Sequence, residues 1–184
     1  MLNILNMLAK TGISTEQPPV IEPIDFENLQ KDLTRLEKLD SQTKAALSKS
    51  LIIRHLDSGS SNSEEAELLA LSNPVYDITR FGIDFTASPR HADVLTVSGP
   101  VTRHLKIAMD RTYNAMPHPK IVVAVGDGAC NGSIYMNTYA CLGRVDQFLP
   151  VDIYIPGDPP TPEQILKGLL MCKLILAKRR SKNG

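Results

Sequence analysis

Residues 121–133 read I-V-V-A-V-G-D-G-A-C-N-G-S, and this stretch decides the fold. Five apolar residues, three of them valine, run without alternation into a loop holding Gly126, Gly128 and Gly132. A β-branched run of this kind suits a strand buried on both faces. The glycines let the backbone turn sharply at the strand's carboxyl end and let another body approach. In open α/β sheets that end is where ligands sit. The loop is therefore the expected position of a site.

Outward from this strand the chain alternates. Residues 51–56, 94–97 and 151–155 are further core strands, and 83–85 is a short apolar piece. Helices are expected between them. One starts near Asn62, with Glu65 three residues on as a capping-box-like pair, and Asn73-Pro74 stops it. Another starts at Pro100 and keeps Val101, Leu105, Ala108, Met109, Thr112 and Met116 on one face. The last opens at Thr161, with Pro162 in its first turn and Gln164 completing a capping box. The expected fold class is α/β: a small parallel sheet of about four strands flanked by helices, flavodoxin-like. Its loops 57–65, 126–133 and 156–160 should converge on one sheet edge.

Residues 1–49 form an N-terminal extension with helical character. Residues 1–10 make an amphipathic segment, read either as a helix packed on its own domain or as a foot against a membrane partner. Residues 13–24 carry three prolines and read as an extended connector, and a surface helix comes next, from Asp25. The α/β domain is expected over 50–178, and the basic tail 179–184 is expected to fray.

Composition narrows the function. The 184 residues are 42% hydrophobic with a formal net charge of zero, which gives no reason to expect a nucleic-acid partner. Cys130, Cys141 and Cys172 form no C-x-x-C pair, which suits a reducing compartment. No apolar run reaches the ~18 residues of a membrane span, and the first ten residues lack the basic region and cleavage site of a secretory signal.

Three chemistries are candidates for the loops. The run G-D-G-A-C-N-G puts Asn131 where a dinucleotide fingerprint needs glycine, and Asp127 would repel a pyrophosphate. A Cys130 nucleophile would have its thiolate disfavoured by Asp127 and Asp158, and reads instead as a small loop thiol. Asp57, Glu64, Glu65, Asp127 and Asp158 could together offer hard oxygen ligands to a divalent metal. Solvation, or pairing with Arg54, Arg80, Arg90 or Arg103, is the usual outcome for such a set. His55, His91, His104 and His118 have no metal-ligand spacing and read as surface or strand-end histidines.

Four ordered blocks carry a resemblance: L-D-S-G-S-S-N-S-E-E, R-F-G-I-D-F-T-A-S-P-R-H-A-D-V-L-T-V-S-G-P-V-T-R, V-G-D-G-A-C-N-G-S-I-Y and V-D-I-Y-I-P-G-D-P-P-T-P-E-Q-I-L. Over roughly residues 50–172 the chain resembles the 20 kDa subunit of respiratory complex I. It is closer still to the small subunit of membrane-bound, energy-converting NiFe hydrogenases. Members of that family hold one 4Fe–4S cluster through four cysteines, two in a D-x-G-S-C-N-x-C-E loop, one in G-D-C-A and one in P-G-C-P-P. This sequence has Ser61, Glu64, Gly128 and Asp158 at those places. Cys130 lies two residues past the third ligand position. The resemblance thus implies a family scaffold without its cluster ligands, so no cofactor, catalytic residue or metal is expected. Four different substitutes, with Ser63 where the family usually has glycine, read as drift.

A scaffold of this kind implies a structural and coupling subunit on the cytoplasmic side of a membrane. It would dock a large, catalytic-type subunit homologue at the loop edge. Membrane subunits would meet its N-terminal helix and the region from Arg80 to Arg103. Two alternatives stand beside it: an active electron-transfer subunit of the NADH-quinone oxidoreductase or hydrogenase type, with a cluster or metal on Cys130 and the carboxylates, and a free-standing binding module.

Overall fold

A computed structural model describes residues 48–136 and 138–183, the last three by backbone alone. The expectations for the foot at 1–10, the connector at 13–24 and the helix from Asp25 lie outside the described residues.

The core is one sheet of five parallel strands, one more than expected. They are β1 (Leu51–Asp57), β2 (Ile83–Phe85), β3 (Val94–Ser98), β5 (Ile121–Val125) and β7 (Ile153–Ile155), in the order β2-β1-β3-β5-β7. The chain reverses direction across the sheet between β1 and β3, which is the flavodoxin-like arrangement and places the switch point between those two strands. The extra strand, β2, pairs Leu51↔Ile83 through Ile53↔Phe85 at the edge. Three residues carry no readable period, so only this pairing defines it.

Strand β5 is buried throughout, as its composition requires. Ile121, Val123 and Val125 enter one apolar layer, under α1 (Ser63–Ala70) and α4 (Pro162–Asn183), with Leu68, Ile165, Leu169 and Cys172. Val122 and Ala124 enter the opposite layer with Leu95, Val97 and Met109, the last from α2 (Lys106–Ala115). Period-two alternation thus feeds two cores from one run, which explains why no polar residue interrupts it.

The helix expected from Pro100 begins later. Val101–Thr102 form β4, antiparallel to β6 (Cys141–Gly143). The Thr102 amide donates to Ser58 O at 2.9 Å and the Arg103 amide to Ala140 O at 3.0 Å. Those two bonds hold the segment extended, and α2 starts only at Lys106. The stretch after β5 is not a loop either: it forms α3 (Gly126–Asn131), a six-residue helix that ends on Gly132 at φ +86°.

Helix α4 opens as its sequence predicts. The Thr161 amide donates to Gln164 Oε1 at 3.0 Å, and the Gln164 amide returns a bond to Thr161 Oγ1 at 3.4 Å. The helix continues past residue 179. It runs through Asn183, and Arg179 pairs with Asp152 and Arg180 with Asp93 at the sheet's amino edge.

Candidate functional site

The carboxyl ends of the strands meet around a cavity of about 180 Å³. The loop after β1 contributes Ser60 and Ser61, and the first turn of α1 contributes Glu64; the start of α3 contributes Gly128; Asp158 lies just after β7; and the turn Gly99-Pro100 lies just after β3. Convergence of the three loops on one edge, expected from alternation alone, is observed. Ser61, Glu64, Gly128 and Asp158 all line this cavity.

Close backbone packing shapes the floor. Gly126 has φ +85°, and a Cβ there would stand 2.4 Å from Glu64 Oε1. A side chain is therefore excluded twice, by conformation and by space. A Cβ on Gly128 would stand 2.8 Å from Pro100 Cδ, so α3 lies tight against the Gly99-Pro100 turn.

The donor set is oxygen only: a serine hydroxyl, two carboxyl groups and a glycine with no side chain. Cluster iron is held by thiolates, and oxygen donors are harder and poorer ligands for it. These residues do not fit a 4Fe–4S cluster. Cys130 does not supply the missing thiol, since it is not among the residues lining the cavity. Its Sγ donates to Ala124 O at 3.6 Å, and it packs against the second apolar layer. Burial, with Asp127 and Asp146 adding to it, pushes the Cys130 thiol up to about 11.

The five carboxylates considered as metal ligands are dispersed by their partners. Asp57 Oδ1 accepts the Gly59 and Ser60 amides at 2.7 and 2.8 Å, tying the loop after β1. Asp127 Oδ1 accepts the Gly157 amide at 2.9 Å, joining α3 to the β7 loop. Glu65 turns into the sheet, leaving Glu64 and Asp158 at the cavity. Among the described residues, no three His, Cys, Asp or Glu side chains are placed to hold a metal ion. Nor does any of the five carboxylates pair with Arg54, Arg80, Arg90 or Arg103. Arg80 stacks on Phe81 at 4.7 Å, and Arg103 Nε donates to Tyr139 O at 2.5 Å.

Behind the cavity lies a polar cluster that sequence reasoning missed. His55 Nδ1 meets Thr96 Oγ1 at 3.1 Å, and its Nε2 meets Glu65 Oε1 at 3.3 Å. Glu65 also accepts the hydroxyls of Ser60, at 2.5 Å, and of Ser98. Burial pushes Glu65 up, but the two hydroxyls and its own backbone amide outweigh it and hold the carboxyl below its usual range. Burial is also the largest influence on His55 and lowers it, against the opposing pull of Glu65. His55 is therefore not an ordinary surface histidine. The signal available was in β3: Thr96 and Ser98, two apart in an otherwise apolar strand, share one face and need a partner. Asn62 does not cap α1. It sits at φ 72° with no side-chain cap bond, and its amide donates to Ser60 Oγ at 3.1 Å in place of the Glu65 carboxylate, which is engaged in this cluster.

Residues 62–172 match the family described as NADH ubiquinone oxidoreductase, 20 kDa subunit. The chain is 40% identical over 144 residues to a probable membrane-bound hydrogenase subunit of Pyrococcus furiosus, covering 78% of this chain and 86% of that one. It is 34% identical over 168 residues to formate hydrogenlyase subunit 7 of Escherichia coli, covering 90% of this chain and 66% of that one. Among solved structures, a chain of the membrane-bound sulfane sulfur reductase, an archaeal respiratory membrane complex, superposes with a TM-score of 0.63. That similarity comes with 32% identity over 74% of this chain and 75% of the other.

Proposed function

The chain belongs to the family of the NADH ubiquinone oxidoreductase 20 kDa subunit, and on that premise we propose that it is a structural and coupling subunit of a membrane-bound complex related to complex I and the energy-converting hydrogenases. It carries no iron–sulfur cluster and relays no electron. Its carboxyl edge docks a large-subunit homologue, and it lies peripherally against membrane subunits on the cytoplasmic side. The relatives named as a membrane-bound hydrogenase subunit and as part of a respiratory membrane complex support the setting. So does the lack, among the described residues, of any helix long and apolar enough to cross a membrane.

The observation that carries the reading is the cavity itself. The positions that hold the family's four cysteines come together in space, so the scaffold persists, yet none of them offers a thiol. Nothing in the site favours the alternative of an active electron-transfer subunit, because Cys130 is bonded to Ala124 O and does not line the cavity.

The test is iron and acid-labile sulfide analysis, with a visible spectrum, of the intact complex purified anaerobically. This subunit should add neither iron nor sulfide to what its partners carry. A band near 400 nm together with stoichiometric iron and sulfide assigned to this subunit would overturn the proposal.

A further inference from the structure

Glu64 is 4% exposed, and among the described residues its carboxyl has one hydrogen-bond partner, the neighbouring Ser63 hydroxyl at 2.9 Å. Its neighbour Glu65, less deeply buried, has three side-chain partners. Among the described residues neither Glu64 nor Asp158 has an ion-pair partner, and no Lys, Arg or His lines the cavity they share. Buried carboxyl groups are ordinarily paired or fully hydrogen-bonded. Among the described residues no cation answers this charge.

The rim says what kind of cation. Ile134 (84% exposed), Tyr135 (46%), Met136 (41%) and Tyr139 (90%) crowd the segment beside the cavity, and the first two line its wall. Large apolar side chains gathered at one exposed edge mark a protein contact. A free metal ion could answer the charge but would leave these residues in water. A basic side chain flanked by apolar residues answers both. Arginine within an apolar, water-excluding ring is the usual composition of an energetic centre at an interface.

We propose that a basic side chain of the large-subunit homologue enters this cavity and pairs with Glu64, while apolar residues flanking it cover Ile134, Tyr135 and Tyr139. The inference rests on the docking reading above and names its chemistry: an ion pair in the position where relatives of the family place a cluster.

The test uses the intact complex. With p-benzoylphenylalanine in place of Tyr135, irradiation should cross-link this chain to a large-subunit peptide containing Arg or Lys. Glu64→Gln should weaken retention of the chain in the complex by at least about tenfold, and Glu64→Lys by more. Glu67→Gln, on the same helix but not among the residues lining the cavity, should leave retention unchanged. Reversing the cross-linked basic residue to Glu should restore retention of Glu64→Lys. A cross-link to a membrane subunit or to a peptide without a basic residue would overturn the inference, as would full retention of Glu64→Gln. So would a stoichiometric metal ion lost in Glu64→Gln. Iron and sulfide are measured on the same preparation. A cluster there overturns the broader reading whatever the cross-link, whereas a wrong cross-link without a cluster overturns only the ion pair.

Discussion

Asp152 binds Arg179 through both carboxylate oxygens, and one of those oxygens also accepts the backbone amide of Val122. The Arg179 Nη1 contact to Oδ2 is 3.2 Å, its Nη2 bonds Oδ1, and the Val122 amide meets Oδ2 at 3.0 Å. Asp93 divides the same two partners between its oxygens, Oδ1 accepting from Arg180 and Oδ2 from the Ile52 amide at 3.2 Å. At the amino edge of the sheet, each aspartate thus satisfies a strand donor and anchors the end of α4. Asp152→Ala should lower the unfolding free energy by about 1–3 kcal/mol, since it leaves the Val122 amide without its acceptor and Arg179 with only Lys120 O. Asp152→Asn should cost less, because it keeps an acceptor for Val122. Urea-unfolding midpoints of the two variants check the order.

Acid should destabilise the fold in two separate windows. His55 is held below its ordinary value of 6.5, chiefly by burial. As pH falls through about 6.5 the unfolded chain takes the proton first, so stability drops until the folded histidine also titrates. Glu65 is held below its ordinary value of 4.5. Its contribution is complete above that value and is lost as pH falls through its folded value. His55→Gln should remove the first loss and leave the second, whereas Glu65→Gln should remove the second and deepen the first, because Glu65 pulls the histidine upward against burial. Unfolding midpoints measured from pH 8 to about pH 3 would show one step or two. If His55→Gln leaves the upper step in place, the histidine is not its source.

The range of the interactions that make a feature decides whether the sequence alone reveals it. Residues 121–125 announce a doubly buried strand because burial on both faces writes itself into every consecutive position. Thr161 and Gln164 announce a capping box because the partners that decide it are three residues apart. Asn62 and Glu65 have the same spacing, yet Glu65 is held by the hydroxyls of Ser60 and Ser98, and the second lies 33 residues away, outside any local window. Val101 fits a helical apolar stripe equally well, but β6, some forty residues on, pairs with it first. The cavity is legible because its four positions lie in loops that strand–helix alternation must gather on one edge. The isolation of Glu64 is not, because it depends on which carboxyls find partners, and only coordinates decide that.

Cys130 should be a slow nucleophile. With burial pushing its thiol up to about 11, against 9.0 for an ordinary cysteine, its thiolate population at neutral pH falls roughly a hundredfold. Alkylation of the folded chain by iodoacetamide, followed by mass spectrometry, should leave Cys130 and the buried Cys172 unmodified under conditions that label both in urea. Rapid labelling of Cys130 in the folded chain would show that its packing against Ala124 is not maintained in solution. Cys130→Ser should leave the metal content of the intact complex unchanged.

If the scaffold persists and only the thiols are missing, returning them should return the chemistry. The quadruple variant Ser61→Cys, Glu64→Cys, Gly128→Cys and Asp158→Cys places four thiols around a cavity of about 180 Å³ at the ends of β1, β5 and β7. Anaerobic reconstitution with iron and sulfide should then give about four irons per chain and a thiolate–iron absorption band, while the unaltered chain gives neither. The Gly128 substitution carries the main steric demand. Its Cβ would meet Pro100 Cδ at 2.8 Å, so the Gly99-Pro100 turn has to retreat by a few tenths of an ångström. Replacing Glu64 acts the other way, removing a buried carboxyl that has no cation. The triple variant that keeps Gly128 avoids the clash but offers only three thiols, so it should bind iron weakly and lose it to a chelator. A quadruple variant that folds yet takes up no cluster would mean that these loops have drifted in shape as well as in ligands. The loss would then be too deep for four side chains to reverse.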